Sequence, residues 1–504
     1  MTSIFDIVSG HDKATPAIGA PERSPLSYGD LARLIEATGR DLNRFGIGRN
    51  DRVAIVLPNG PEMATAFLAI AASASAAPLN PAYTKDEFVF YLEDLSARAV
   101  LVEAGSSSPV LDAAAALGIP MLAIDRQPDD PAGRFALAGT GLEAAAALTG
   151  LCEASDEALV LHTSGTTSRP KLVPLTTANL VASARHIGET LQLTPGDVGL
   201  NIMPLFHIHG LIASLLSSMT AGASVVCTPG FNALKFFAWM DEIRPSWYTA
   251  VPTMHQAILA RAGRNADVVG RSELRFARSS SSSLPPPVLH ELEALFGCPV
   301  IEAYGMTEAS HQMASNPLPP RARKPGTVGL AAGPDVAIMA ENRILRGSNE
   351  SGEIVIRGPN VFAGYESNPK ANASAFADGW FRTGDLGFLD EDGYLTISGR
   401  LKEIINRGGE KIAPREVDDV IQAHPAVDQV VTFALPHDKL GEAVAAVVVF
   451  KDGSTADIAD VKRFAAERLA AFKVPSTILI RDEIPKGATG KLQRIGLAEK
   501  LGLV

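Results

Sequence analysis

Apolar runs of strand length alternate with longer helical patterns through most of the chain. Arg52-Val-Ala-Ile-Val-Leu57 reads as a buried strand, and Pro58-Asn59-Gly60 ends it. The next segment, 61–74, reads as a helix with Pro61 near its first turn, and the whole apolar stretch 63–78 reads as buried helix. Strand-like runs recur at 99–102, 121–124, 158–161 and 223–227. Strands separated by helices predict parallel β-sheet with crossover helices, an α/β architecture. The character changes after about residue 325, where short strand candidates at 336–339, 352–357 and 394–398 lie among Gly, Pro, Asn and Asp turns. That predicts a smaller β-rich unit. A last segment then has its own strands at 426–435 and 443–450 and a helix at 456–469, an α+β pattern. The expected boundary is at 399–402, dividing the chain into 1–399 and a small C-terminal domain, 400–504. No repeat of solenoid length interrupts this order.

Composition narrows the class. The chain has 504 residues, 46% of them hydrophobic, enough for several cores without disulfide or metal staples. Its three cysteines (Cys152, Cys227, Cys298) are far apart, which argues against a disulfide framework or zinc knuckle and for a reducing compartment. With 45 basic and 56 acidic residues the net charge is −11, and no Lys/Arg cluster stands out, so no nucleic-acid partner is expected. Asp6, Asp12 and Lys13 interrupt the place of a signal peptide, and 63–78 is shorter than the ~20 residues a membrane span requires. The C-terminus is not a peroxisomal tripeptide. A cytoplasmic protein without a membrane span is expected, its oligomeric state open.

The most informative segment is Thr163-Ser-Gly-Thr-Thr-Ser-Arg-Pro-Lys171, after the strand-like 158–161. Hydroxyls around Gly165 offer O–H and backbone N–H donors to phosphate oxygens, and Lys171 supplies charge. A Walker A loop would end Gly-Lys-Ser/Thr, whereas Lys171 stands between Pro170 and Leu172. The ordinary P-loop ATPase is excluded.

The segment resembles the phosphate loop of the adenylate-forming superfamily of acyl-CoA synthetases, luciferases and peptide-synthetase adenylation domains. Four further motifs follow in that family's order. Tyr304-Gly-Met-Thr-Glu308 resembles the second, Trp380-Phe-Arg-Thr-Gly-Asp385 the third, Gly399-Arg400 the next, and Pro485-Lys-Gly-Ala-Thr-Gly-Lys491 the last. The resemblance implies ATP, Mg²⁺ and the cosubstrate CoA, with a carboxylate activated as acyl-AMP before transfer to the thiol. It implies a nucleotide site built from Thr163, Ser164, Gly165, Thr166, Thr167, Lys171, Glu302, Ala303, Tyr304, Thr307, Asp385, Arg400 and Lys491. Tyr304 would stack on adenine, Asp385 would accept from the ribose diol, and Glu308 would hold Mg²⁺. Lys491 would bridge the two anions that must meet when a carboxylate attacks the α-phosphorus. Lys402 matches the hinge about which the C-terminal domain swings, bringing in Gly408, Gly409 and Lys411 for CoA.

Within the superfamily, 203–210, 247–255 and 302–311 most resemble the oxalate–CoA ligases of the 4-coumarate–CoA ligase-like branch. Arg278-Ser-Ser-Ser-Ser-Ser283 replaces a glycine-rich stretch usual for bulky acids. Ser281 and His311, with His207, are the expected donors to a short, doubly charged acid, while His209 and His255 read as packed core residues. Malonate or another small acid is the alternative substrate. A non-catalytic nucleotide-binding relative is the alternative of another class. Two positions depart from the family pattern, Ser168 and Leu172, both where glycine is usual.

Overall fold

The computed structural model describes residues 2–139, 145–163, 170–341, 343–485 and 493–504. Two mixed sheets with parallel centres carry the first three hundred residues. In the nine-stranded sheet, six neighbouring strands run parallel, in the order Val300–Met306, Phe276–Ser279, Trp247–Ala250, Val198–Asn201, Ser224–Cys227 and Pro16–Ala20. The antiparallel strand His311–Ser315 extends it beyond Val300–Met306. The seven-stranded sheet has five parallel strands at its centre, with antiparallel edges Ala136–Gly139 and Leu172–Thr176. Helices cover these sheets because their strands are apolar on both faces, the pattern that parallel sheets require.

The apolar stretch 63–78 is not one helix. The helix ends at Ala71, and Ser75–Pro78 is a strand in register with Arg52–Ile55 on one side and touching Glu157–His162 on the other. Ser-Ala-Ala-Pro has poor intrinsic strand preference. Complete burial between two ladders decides its conformation, with Ser75 Oγ donating to Glu157 Oε1 at 2.7 Å.

The β-rich unit expected after 325 is a five-stranded antiparallel sheet of Asp335–Met339, Gly352–Arg357, Phe376–Ala377, Trp380–Leu389 and Leu395–Arg400. A one-turn helix, Leu401–Glu403, leads to a further five-stranded sheet built on the long hairpin Val427–His437/Gly441–Phe450. Helices Pro414–Gln422 and Ile458–Ala466 pack on that sheet through Val417, Ile421, Val461 and Ala465.

Candidate functional site

Loops leaving the C-terminal ends of parallel strands gather the candidate residues, the usual place for ligands in such sheets. The strand pair Glu157–His162 and Leu172–Thr176 brackets the expected phosphate loop. Its base is closed twice: Thr163 N–H donates to the Lys171 carbonyl at 2.9 Å, and Lys171 N–H donates to Thr163 Oγ1 at 3.1 Å. Ser164, Gly165, Thr166, Thr167 and Ser168 lie outside the described residues, as does Lys491. Leu172, unusual after the lysine, is buried in an apolar cluster with Phe88, Leu92 and Val160.

A segment absent from the sequence reading organises the side expected to take the phosphates. Tyr365 lies in the loop after Gly352–Arg357. Its hydroxyl donates to Glu308 Oε1 at 2.7 Å, and Lys171 Nζ sits 3.9 Å from its ring centroid. The Asn372 side chain holds the loop by accepting from Tyr365 N–H and donating to its carbonyl, both at 2.8 Å. Phe362 N–H donates to the Glu308 carbonyl at 2.8 Å, and Glu366 N–H to the Leu172 carbonyl at 3.2 Å. Burial holds the Lys171 ammonium below the ordinary lysine range, with Glu308 pulling it back up and Lys402 adding repulsion.

Glu308 is only 6% exposed and one oxygen already accepts from Tyr365. A carboxylate has about four acceptor sites, so capacity remains for a cation. Among the described residues no group of three or more His, Cys, Asp or Glu could form an all-protein metal cage. One carboxylate beside substrate phosphates suits Mg²⁺, which retains waters and seeks few protein ligands. Thr307 and Glu308 occupy the short turn Thr307–Ala309, immediately after strand Val300–Met306.

On the side expected to take the nucleotide, Tyr304, Asp385 and Arg400 converge. The Tyr304 hydroxyl donates to Asp385 Oδ2, while Arg400 Nε donates to Oδ1 at 2.6 Å. Asp385 and Arg400 are register partners on adjacent antiparallel strands, which accounts for the pairing. Both Asp385 oxygens thus have a protein donor, and each keeps a lone pair for a further one. Glu302 is buried beside Ser279 in the parallel ladder, and Gly326 N–H donates to it at 3.1 Å. Burial pushes its carboxyl up to about 7. The Ala303 carbonyl accepts from Ser280 Oγ at 2.9 Å.

The expected acid wall contains a group the sequence reading passed over. Arg278 is 0% exposed, and among the described residues no carboxylate pairs with it. Its Nη2 donates to His311 Nε2 at 3.2 Å and Gln312 Oε1 at 3.3 Å; its Nη1 faces Thr249 Oγ1 at 3.4 Å and His209 Nε2 at 3.5 Å. Burial pushes the guanidinium down to about 9, so it remains a cation at neutral pH. His209 is more than a packed core residue. It stacks on His311 with centroids 5.0 Å apart, and its Nδ1 lies 3.0 Å from Ser281 Oγ. It is buried, as a core residue would be, but polar side chains of two neighbouring strands also reach it. His255, in contrast, is buried against the Tyr248 hydroxyl at 3.2 Å. His207 is half-buried, its ring centroid 5.0 Å from that of Phe206. The available signal is one arginine inside the short, fully buried strand Phe276–Ser279, opposite Thr249 in the parallel register.

The remaining candidates lie at and beyond the connector. Lys402 is exposed in the turn Leu401–Glu403. Gly408 and Gly409, with φ of 62° and 97°, form the tight turn between Ile405–Arg407 and Glu410–Ile412, a conformation that favours glycine. Lys411 is exposed, 3.7 Å from Glu341. Arg415, at the start of helix Pro414–Gln422, reaches back to Ser283 Oγ at 2.6 Å and so ties the C-terminal sheet unit to the serine run.

The AMP-binding enzyme model matches residues 8–366, and the model for the AMP-binding enzyme C-terminal domain matches 416–491. The chain belongs to the AMP-binding enzyme family. It is 45% identical to the oxalate–CoA ligase of Arabidopsis thaliana, over 95% of this chain and 94% of that one. It is 42% identical to the oxalate–CoA ligase of Saccharomyces cerevisiae, over 96% and 94%. Among solved structures, ATP-bound MatB from Rhodopseudomonas palustris superposes with a TM-score of 0.88 at 31% identity, covering 99% of both chains.

Proposed function

We propose that this protein is an AMP-forming oxalate–CoA ligase. Oxalate attacks the α-phosphorus of ATP, giving oxalyl-AMP and pyrophosphate. The CoA thiol then displaces AMP to give oxalyl-CoA. The observation that carries the acid assignment is the buried Arg278 beside His311, His209 and Ser281, a positive wall with no protein carboxylate among the described residues. A buried cation without its anion is costly, and the free carboxylate of a short diacid supplies one. A monocarboxylate leaves the donors unmatched, and a longer diacid carries its far carboxylate past them. The two oxalate–CoA ligase relatives support the same reading.

Lys171, Lys491, Thr307 and the hydroxyls of 163–167 hold and align phosphate oxygens. Asp385 takes the ribose hydroxyls with Arg400 fixing its orientation, and Glu302, Ala303 and Tyr304 line the base side. Glu308 would hold Mg²⁺, which when bound neutralises phosphate charge and polarises the phosphorus for attack. Residues 1–399 form the nucleotide- and acid-binding part, and 400–504 turn about Lys402 between the half-reactions. In that turn Gly408, Gly409 and Lys411 approach the thiol arm of CoA. Three buried, unpaired cysteines fit a cytoplasmic location. Among the described residues no helix is long and apolar enough to cross a membrane.

The test is acid-dependent pyrophosphate release from ATP with oxalate, malonate, succinate, acetate and 4-coumarate, with and without CoA. Oxalate should have the highest kcat/KM, with malonate a weak second. Preference for acetate or 4-coumarate refutes the acid assignment, and no release with any acid refutes the ligase.

A further inference from the structure

The hydrogen bonds of Arg278 constrain where protons sit on its neighbours. A guanidinium has only donors, so the atom it meets at 3.2 Å, His311 Nε2, must present a lone pair. The proton of a neutral His311 is then on Nδ1. Nη1 approaches both Thr249 Oγ1 and His209 Nε2, and those two atoms are 2.6 Å apart. Nη1 can only donate, so its 3.5 Å approach to His209 Nε2 requires a lone pair on that nitrogen, which the closer Thr249 hydroxyl fills by donating. His209 therefore carries its proton on Nδ1, which donates to Ser281 Oγ at 3.0 Å. That bond occupies an oxygen lone pair of Ser281 and leaves its hydroxyl hydrogen to be donated elsewhere. Ser281 is held for this at φ 75°, a left-handed conformation that serine rarely adopts.

We propose that Arg278 is a positioning residue that fixes the tautomers of His209 and His311, so that Ser281 presents a hydrogen rather than a lone pair to an acidic substrate. Charge and contact are divided. Arg278 supplies positive potential from a buried position, and the serine hydroxyl makes the bond at the substrate. The substrate class that this arrangement selects is a short acid with a second carboxylate near the reacting one, an inference that rests on the ligase reading above. Orientation of a histidine by an outer partner is a general means of fixing its tautomer.

Long-range ¹H–¹⁵N NMR of the full-length protein reads the tautomers directly, with His209→Asn and His311→Asn spectra giving the assignments. Both rings should be neutral and protonated at Nδ1. In Arg278→Met, His311 should shift toward the Nε2–H form and KM for oxalate should rise roughly 10- to 100-fold, with KM for ATP little changed. Arg278→Lys keeps a charge but cannot fork to both rings, and should recover less than half of the lost binding free energy. Thr249→Val keeps the cation and cuts only the relay to His209, so His209 should change tautomer while His311 does not; this variant carries the test if Arg278→Met fails to fold. An Nε2–H tautomer at His311 in the unaltered protein, or an unchanged oxalate KM in folded Arg278→Met, overturns the proposal. If the tautomers are as stated but oxalate is not a substrate, the function assignment fails and the proton arrangement stands.

Discussion

Tyr365 and Glu308 are joined by a 2.7 Å hydrogen bond across 57 residues of chain, and the same aromatic ring lies beneath the Lys171 ammonium. One side chain thus fixes both the candidate metal ligand and the phosphate-loop cation. A tyrosine suits the task because its rigid ring offers a negative face to the ammonium and its hydroxyl offers a hydrogen to the carboxylate.

Tyr365→Phe retains the face and loses the hydrogen bond. Hydrogen bonds to charged groups contribute about 1.5–3 kcal/mol, so the Mg²⁺ concentration for half-maximal pyrophosphate release should rise by roughly tenfold or more. Tyr365→Ala removes the ring as well and should also weaken ATP binding measured by calorimetry. An unchanged Mg²⁺ dependence in Tyr365→Phe would mean that Glu308 is not oriented by this bond.

Arg415 and Ser283 form a contact between the C-terminal sheet unit and the serine run, at 2.6 Å. If that contact belongs to the orientation used for adenylate formation, Arg415→Ala should slow single-turnover formation of acyl-AMP by roughly 2- to 10-fold, the value of one ordinary hydrogen bond. Transfer from preformed acyl-AMP to CoA should be unaffected. Ser283→Ala should reproduce the effect, and the double variant should lose no more than either single one.

Lys402→Pro tests the connector itself. Proline fixes φ near −65° and removes the backbone N–H, so a chain that must change conformation in Leu401–Glu403 is restricted to one state. One half-reaction should survive in single-turnover assays while complete turnover falls by on the order of 10²-fold or more. Normal complete turnover would move the hinge elsewhere.

The features legible in the sequence are those with a local cause. Strand Gly352–Arg357 is a short apolar run set between turn residues, and Pro61 at the start of a helix after Gly60 announces itself. The five nucleotide motifs are continuous stretches that can be recognised one at a time. What stayed hidden has its cause far along the chain. Ser75–Pro78 is a strand because two ladders bury it. Tyr365, Arg415 and Arg278 act on Glu308, Ser283 and His209, 57, 132 and 69 residues away. His209 is buried, as the sequence suggests, but burial alone does not tell whether a ring packs or bonds. Its bonds at Nε2 come from Thr249 and Arg278, which only the parallel register places side by side.

Glu302 should make stability fall as pH rises through the weakly acidic range. Its carboxyl is pushed up from 4.5 to about 7 chiefly by burial, with the Gly326 N–H and Arg415 acting in the opposite direction. The folded state therefore holds a proton that the unfolded chain releases near pH 4.5. Between that pH and about 7 the folded form binds more protons, so unfolding free energy decreases with increasing pH, and above 7 the loss is complete. A shift of this size corresponds to about 2–4 kcal/mol. Glu302→Gln keeps an oxygen acceptor for Gly326 and has no charge to desolvate. It should be more stable than the unaltered protein at pH 8 and closely similar at pH 4.5, as measured by the urea midpoint at each pH. Equal stabilisation at both pH values would mean that packing, not the buried charge, is responsible. A destabilisation at pH 8 would mean that the ionised carboxylate has a stronger partner than the Gly326 amide.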